Sequence, residues 1–254
     1  MRHDFIDRYS KLESPVHKRD ARAKTIALLA IIVVCVTTPP RAWFAFCIYA
    51  ALVVVIAVAS RVPFRYLLTR VLIVVPFIAV VAIFMPFVHR GGPSVHWGWL
   101  TVSSDGLLIL WNVTAKSTIS VACLILLTST TPFTELMSGF ERMHVPRFFT
   151  TVTSFMYRYI FIIVDEAERM KRARDSRNYH GRWLWQAKVV GYMIASLFLR
   201  SQERAERVYQ AMCARGFDGT FPVRELHKMT ASDYFFMLAV LLTAVAGRLG
   251  AIWA

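Results

Sequence analysis

Long apolar blocks separated by short polar segments dominate the chain. Five blocks lie at residues 25–36, 42–60, 66–88, 107–130 and 234–254. The last three contain one charged residue each, namely Arg70, Lys116 and Arg248. A membrane-spanning helix needs about 20 mostly apolar residues, and the first block meets this if it extends from about Ala21 to Thr38. The pattern therefore predicts five transmembrane helices.

Composition and charge narrow the class of protein. The chain has 254 residues, of which 56% are hydrophobic, and its mean hydropathy is +0.47. Thirty Lys and Arg against 16 Asp and Glu give a net charge of +14. A disordered chain would be poor in hydrophobic residues, and four cysteines are too few for a disulfide scaffold. Two classes remain: a nucleic-acid binder with a large core, or a membrane protein with basic loops.

The positions of the charges decide between these classes. Residues 1–24 carry seven Lys or Arg, and residues 131–230 carry sixteen, whereas the segment 89–105 carries only Arg90. Because basic loops stay in the cytoplasm, the N-terminus and residues 131–230 are expected inside and residues 89–105 outside. Five spans satisfy this alternation. We do not expect a nucleic-acid partner, and we expect the protein to contact membrane lipid.

The expected fold is therefore an all-α, multi-pass protein of the cell inner (cytoplasmic) membrane. We divide it into a cytoplasmic N-terminal segment (1–24), transmembrane helices 1–4 (25–130), a cytoplasmic module (131–231) and a C-terminal transmembrane helix (232–254). Within the module, residues 148–164 and 189–199 are apolar but short. We interpret them as parts of long helices lying against the membrane face, and a sixth span at 148–164 stays open.

The cytoplasmic module contains an internal repeat. Residues 167–181 (AERMKRARDSRNYHG) and 205–219 (AERVYQAMCARGFDG) are identical at six positions with an offset of 38 residues. In the second copy, Ala205, Val208, Tyr209 and Met212 share one face of a predicted helix. The repeat indicates two equivalent helices, and so a partner with two equivalent grooves, such as a dimer.

Each predicted helix ends in a small residue, an arginine and a residue that tolerates a left-handed backbone. We call these residues the first tip (Ser176, Arg177 and Asn178) and the second tip (Ala214, Arg215 and Gly216). A small side chain permits close approach, and the arginine offers five donors to carboxylates or carbonyls. The alternative is that both are solvated helices with ordinary Arg and Gly caps.

Other candidate sites give weaker signals. No glycine is followed by lysine, so the chain has no phosphate-binding loop of its own. The histidines form no pair at helical spacing, and we expect neither a metal site nor a catalytic site. Lys116 lies near the middle of the fourth block and is a candidate intramembrane polar site. It could pair with a carboxylate or with helix-end carbonyls in the bundle, or face a partner. The alternative is that it extends toward the membrane surface or satisfies neighbouring carbonyls in a purely structural role.

The two tips resemble the paired Ala-Arg-Gly motifs of the transmembrane T component of energy-coupling factor (ECF) transporters. Ala214-Arg215-Gly216 matches the second motif fully, whereas Ser176-Arg177-Asn178 matches the first only in its arginine. The opening HDFIDRYSKLESPVHKRDARAK and the segment TTPFTELMSGFERMHVP are similar to the cobalt/nickel branch of that family, CbiQ. The resemblance covers nearly the whole chain.

The resemblance implies a non-catalytic permease subunit that works with two ABC-type ATPases and a membrane S component. The S component would be metal-binding and CbiM-like, with or without a small accessory subunit. The two arginine tips would dock on the ATPases, which bind ATP, and would pass their closure to the S component. The chain itself would bind no cofactor.

Two alternatives stay open at this point. One is a T component that serves a vitamin or another substrate. The other is a membrane enzyme acting on phosphorylated lipids, with the basic module binding the phosphates. The second would need acidic or histidine clusters at the membrane face, and Asp165, Glu166 and Glu168 are the only acidic cluster in the sequence.

Overall fold

The computed structural model describes residues 14–88, 94–97, 100–177, 183–217 and 229–253. In chain order its helices are α1 (Ala21–Thr37), α2 (Trp43–Ala59), α3 (Phe64–Val88), α4 (Ser104–Thr130), α5 (Phe133–Arg142), α6 (Arg147–Ser176), α7 (Trp183–Cys213) and α8 (Ala231–Trp253). Each of the five apolar blocks forms a helix, and these are α1 to α4 and α8. The other three helices, α5, α6 and α7, lie in the more polar segment between α4 and α8.

A small hairpin lies between α3 and α4. Strand β1 (Ser94–Trp97) pairs antiparallel with β2 (Leu100–Ser103), with Ser94 opposite Ser103 and Trp97 opposite Leu100. The all-α prediction holds for the helices but is incomplete in this segment, which was expected to be a loop. The segment is rich in β-branched and aromatic residues, which favour strands.

Two of the described helices are long and apolar enough to cross a membrane, over Gly106–Thr130 and Ala231–Ala251. Only 17% of the most apolar window of each is buried inside the protein, as expected for helices that face lipid. Helices α1 and α2 have 17 residues each. At 1.5 Å per residue they are about 26 Å long, slightly less than the apolar core of a bilayer. The count of five spans stays a prediction.

The chain divides into two compact units. The first comprises residues 2–139 and 226–254, and the second comprises residues 140–225. We call the first the bundle unit, since it contains α1 to α4, α8 and most of α5. We call the second the two-helix unit, since it is built from α6 and α7.

The core of the bundle unit is formed by α1, α2, α4 and α8, together with Leu67 of α3. Its most buried side chains include Ile31, Cys35, Tyr49, Cys123 and Leu126. Small residues let the helices approach closely: a Cβ atom on Gly247 of α8 would lie 3.2 Å from Cε1 of Tyr49 on α2. Small residues at helix contacts are typical of packing in membranes, where lipid supplies no hydrophobic driving force between helices.

The two-helix unit contains the longest helices of the chain, of 30 and 31 residues. In each, the short apolar stretch found in the sequence continues without a break into the charged stretch that follows. The prediction of two long helices is confirmed. Their position against a membrane face stays a prediction.

Candidate functional site

The second tip is held by a well-formed helix cap. The N–H of Phe217 donates to the carbonyl of Met212 at 3.1 Å, and the N–H of Gly216 donates to the carbonyl of Cys213 at 3.0 Å. This pair of bonds defines a Schellman motif, which needs a left-handed residue at the position of Gly216. Gly216 has φ +77°, as the sequence led us to expect. Arg215 is therefore the cap residue of α7.

The first tip ends α6 in a related way. Arg177 is the cap residue, and its N–H donates to the carbonyl of Arg174 at 3.1 Å. The hydroxyl of Ser176 donates to the carbonyl of Ala173 at 3.0 Å and so occupies another helix-end acceptor. Asn178 lies outside the described residues. The repeat thus places one arginine at the cap of each long helix.

Both cap arginines are exposed, as are their small neighbours Ser176 and Ala214. Within the part of the chain that the structure describes, neither Arg177 nor Arg215 has a side-chain hydrogen bond or an ion pair. Each guanidinium therefore presents its donors to solvent, or to a partner chain.

The structure does not bring the two tips together. Helices α6 and α7 follow each other across a connection of six residues. The start of α6 (Phe148) and the end of α7 (Met212) line the same groove, so the two helices run in opposite directions and the tips lie at opposite ends of the two-helix unit. Glu166 on α6 contacts Arg200 on α7 between them. From that contact the tips are eleven and fifteen residues away, about 16 Å and 22 Å along the helices. The arginines are therefore up to about 40 Å apart.

An apolar groove of about 640 Å³ runs between α6 and α7. The face predicted from the second repeat, Ala205, Val208, Tyr209 and Met212, lines it, and so does Phe217 next to the second tip. From α6 it receives large side chains such as Phe148, Phe155, Met156, Tyr159 and Ile163. The predicted helical face is confirmed, and the groove connects the second tip to the middle of the unit.

Glu166 links the two helices. Its Oε1 accepts a hydrogen bond from Nη1 of Arg200 at 2.6 Å, and its Oε2 accepts from Nε and Nη2 of Arg169 at 3.2 and 2.5 Å. The side chain of Glu166 is 18% exposed, against 59% for Arg200. These bonds, that of Arg169 first, hold the pKa of the Glu166 carboxyl below its ordinary value.

Lys116 binds helix-end carbonyls in the bundle unit. Its Nζ donates to the carbonyls of Val36 and Thr38, at 2.8 and 2.7 Å, where α1 ends. Both the functional and the purely structural interpretation of the sequence allowed carbonyl partners, so the role of Lys116 as an intramembrane polar site stays a prediction. The sequence pointed to the residue because an ionisable group in an apolar block is costly.

A second lysine with the same role was missed. Lys24, on α1, is buried, and its Nζ donates to the carbonyl of Thr130 at the end of α4 at 2.9 Å. The carbonyl of His17 accepts from the same Nζ at 3.3 Å. Lys24 lies beside the basic N-terminal segment, so in the sequence it was grouped with the loop charges. Its place at the start of an apolar helix was the signal that could have separated it from them.

The match to known proteins covers most of the chain. The family model CbiQ, described as "Cobalt transport protein", matches residues 13–227. The chain belongs to the CbiQ family. This family contains permease components of transporters, so the enzyme alternative is wrong. As a CbiQ-family chain it is a membrane protein of the ECF transporter class.

Named relatives agree with the family. Two are called "Energy-coupling factor transporter transmembrane protein EcfT". The protein from Clostridium kluyveri is 27% identical, over 98% of this chain and 97% of its own length. The protein from Listeria innocua is 26% identical, over 85% of both. A "Putative fused cobalt transport protein CbiMQ" from Methanocorpusculum labreanum is 28% identical, over 91% of this chain and 40% of that fused protein.

The structure shows no metal site in this CbiQ-family chain among the residues it describes, where no three His, Cys, Asp or Glu side chains are grouped so as to hold an ion. The residues singled out by the sequence lie in different units of the structure. The two arginine caps belong to the two-helix unit, and Lys116 belongs to the bundle unit.

Proposed function

We propose that the chain is the transmembrane coupling subunit of an ECF-type ABC importer. In this proposal two ATPase subunits bind and hydrolyse ATP, the cap arginines receive their motion, and the two long helices pass it to a substrate-binding S component. The most favoured substrate is cobalt or nickel, held by the S component. This chain would bind neither the metal nor ATP.

The observation that carries the proposal is the pair of exposed arginine caps at opposite ends of the two-helix unit. Each presents a guanidinium next to a small side chain, and the two lie up to about 40 Å apart along the helices. Two like contacts at this spacing fit a pair of equivalent subunits better than a single site. Because the arginines end rigid helices of 30 and 31 residues, a displacement at either tip is carried along a whole helix.

The arginine is the residue suited to such a contact. Its planar fork can bind a carboxylate with two parallel hydrogen bonds, or several carbonyls at a helix end. The small residue before it, Ser176 or Ala214, lets a groove wall approach the helix end. Removing either feature from a docking tip should weaken the contact with an ATPase.

The orientation with the N-terminus in the cytoplasm is supported by the distribution of basic residues, and two aromatic residues mark a membrane interface. Trp43, at the start of α2, stacks on Trp111 of α4 with ring centroids 4.9 Å apart, and both side chains are exposed. Exposed tryptophans are enriched at membrane interfaces. In the five-span arrangement both lie at the outer ends of their helices, opposite the basic segments.

The substrate assignment rests on names of relatives. The matching family is described as a cobalt transport protein, and the fused relative joins CbiM and CbiQ in its name. A fusion of two proteins suggests that they act in one complex, which favours a CbiM-like S component as partner. Relatives called EcfT leave a vitamin or another substrate as the alternative. Uptake of labelled cobalt, nickel and vitamins by the purified complex in proteoliposomes separates these.

The coupling role is tested by reversing the charge of both caps. The double variant Arg177→Glu with Arg215→Glu should lose uptake and should co-purify with less ATPase. A matched control is Arg172→Glu with Arg207→Glu, which makes the same charge change at exposed positions on the same two helices. Normal assembly and uptake in the cap variant would refute the proposal, and equal defects in both double variants would refute the special role of the tips.

A further inference from the structure

The contact between Glu166 and Arg200 joins the two long helices between the tips. It is a charge-assisted hydrogen bond of 2.6 Å between residues 34 positions apart in the chain. The second oxygen of Glu166 is held by Arg169, one turn further along α6. That bond fixes the rotamer of the carboxylate, so its other oxygen stays aimed at α7.

The Glu166 carboxylate is partly shielded from solvent at the edge of the groove. Glu166 and Arg200 both line the apolar groove, and the side chain of Glu166 is less exposed than that of Arg200. An ion pair at the edge of an apolar surface is screened less by solvent than a fully exposed pair. By comparison, Arg172 and Glu168 pair at 3.4 Å on a single helix, with both side chains more than 60% exposed.

The contact lies between the tips, so a change in the helix angle at the contact changes the distance between them. Helices are stiff, so any change in the angle between α6 and α7 displaces their ends, and the Glu166–Arg200 contact restricts that angle. Once the contact is lost, a rotation of about 10° at this level would move cap residues 16 to 22 Å away by about 3 to 4 Å. Such a displacement would break the hydrogen bonds of an arginine fork, because donor and acceptor must stay within about 3.5 Å of each other.

We propose that Glu166 is a positioning residue that, through Arg200, fixes the spacing of the arginine caps and so the efficiency of coupling. This inference rests on the proposed coupling function. Loss of the contact leaves both tips intact, but lets the angle between α6 and α7 vary. Part of the motion of the ATPases is then absorbed in that angle instead of reaching the S component.

The first test measures the spacing of the tips in the complete transporter complex. Spin labels are placed at the exposed positions Asp175 and Gln210, in a background where the exposed Cys47 and Cys213 are serine. Pulsed electron resonance should give a narrow distance distribution in the parent. Glu166→Gln and Arg200→Gln should broaden it, whereas Arg200→Lys, which keeps the charge, should restore most of the narrow component. An unchanged distribution in Glu166→Gln and Arg200→Gln would overturn the proposal.

The second test measures uptake per ATP hydrolysed in proteoliposomes. Glu166→Gln and Arg200→Gln should lower this ratio about three- to fivefold, the range expected for a partly screened ion pair. The ATPase activity and the amount of assembled complex should stay near parent values. Glu168→Gln, which removes the exposed pair on α6 alone, should leave the ratio unchanged. If Glu166→Gln fails to accumulate, Arg200→Gln and Arg200→Lys decide, because Arg200 is mostly exposed.

The two proposals fail in different ways. If the charge-reversed caps leave uptake intact, the coupling function itself is wrong. If the caps are needed but Glu166→Gln and Arg200→Gln keep the parent ratio of uptake to ATP, only the positioning role is wrong.

Discussion

Lys24 and Lys116 cap each other's helices. Lys24 belongs to α1 and binds the last carbonyl of α4, while Lys116 belongs to α4 and binds the carbonyls at the end of α1. The two helices are therefore antiparallel, and each lysine satisfies acceptors that would otherwise end in apolar surroundings. Lys116 lies fourteen residues before the end of α4, about 21 Å along it, so the short helix α1 ends at that level.

Replacing Lys116 should destabilise the bundle unit. In Lys116→Met the carbonyls of Val36 and Thr38 lose their donor, at a cost of about 1–3 kcal/mol for unpaired acceptors in an apolar setting. The midpoint of thermal unfolding in detergent should fall. Arg248→Met removes a charge from an exposed position of α8 and serves as control. A midpoint equally lowered in both would mean that loss of charge, and not loss of the cap, is responsible.

Replacing Lys24 should have a similar effect at the other end of α4. Its ammonium group is buried against the carbonyls of His17 and Thr130, so Lys24→Met leaves both without this donor. We expect a loss of about 1–3 kcal/mol. Lys18→Met, at an exposed position six residues earlier, should be nearly neutral. The comparison is made by thermal unfolding of the purified chain, and no difference between the two variants would contradict the cap.

These lysines show what the sequence can and cannot reveal. Lys116 stood out because it interrupts an apolar block, but its partners lie about 80 residues away, and no local pattern names them. Lys24 did not stand out, because a basic segment precedes it. The helical face of the second repeat was readable from its period. The Glu166–Arg200 contact was not, because it depends on how two helices meet, and a sequence with many arginines offers many equivalent pairs.

The approach of α8 to α2 should not tolerate a larger side chain at Gly247. A Cβ there would lie 3.2 Å from Cε1 of Tyr49, whose hydroxyl hydrogen-bonds Thr38 at 3.0 Å. Gly247→Val should push this ring and cost about 1–3 kcal/mol by overpacking. Gly250→Val is the matched control on the same helix, because a Cβ at Gly250 meets no atom within 4 Å. Equal unfolding midpoints for the two variants would show that the Tyr49 ring moves aside without loss of stability.

The left-handed cap of α7 predicts a specific effect at Gly216. Alanine there must adopt φ +77° at a cost of about 1–2 kcal/mol, or the cap must open and displace Arg215. Gly216→Ala should therefore lower uptake and ATPase affinity in the assembled complex. Gly191→Ala, in the middle of the same helix with open space around it, should keep both and stabilise α7 by about 0.5–1 kcal/mol. Equal uptake by the two variants would argue against the cap as a functional element.

The two tips should contribute unequally to coupling. The second tip has the full Ala-Arg-Gly sequence, which the first tip lacks, and its Schellman cap fixes the position of its arginine. Arg215→Glu should therefore reduce uptake more than about tenfold, since a lost charge-assisted interface contact costs about 2 kcal/mol or more. Arg177→Glu should reduce it less. The difference is measured as initial uptake rates in proteoliposomes of equal ATPase content.

A double substitution that makes the first tip resemble the second can test the same asymmetry. Ser176→Ala with Asn178→Gly gives the first tip the small residue and the glycine of the second. If the glycine fixes the cap, this double variant should make uptake more sensitive to Arg177→Glu, because a better-ordered first tip then carries more of the coupling. If instead Arg177→Glu is as damaging as Arg215→Glu in the parent, the tips are equivalent, and the arginine alone determines the contact.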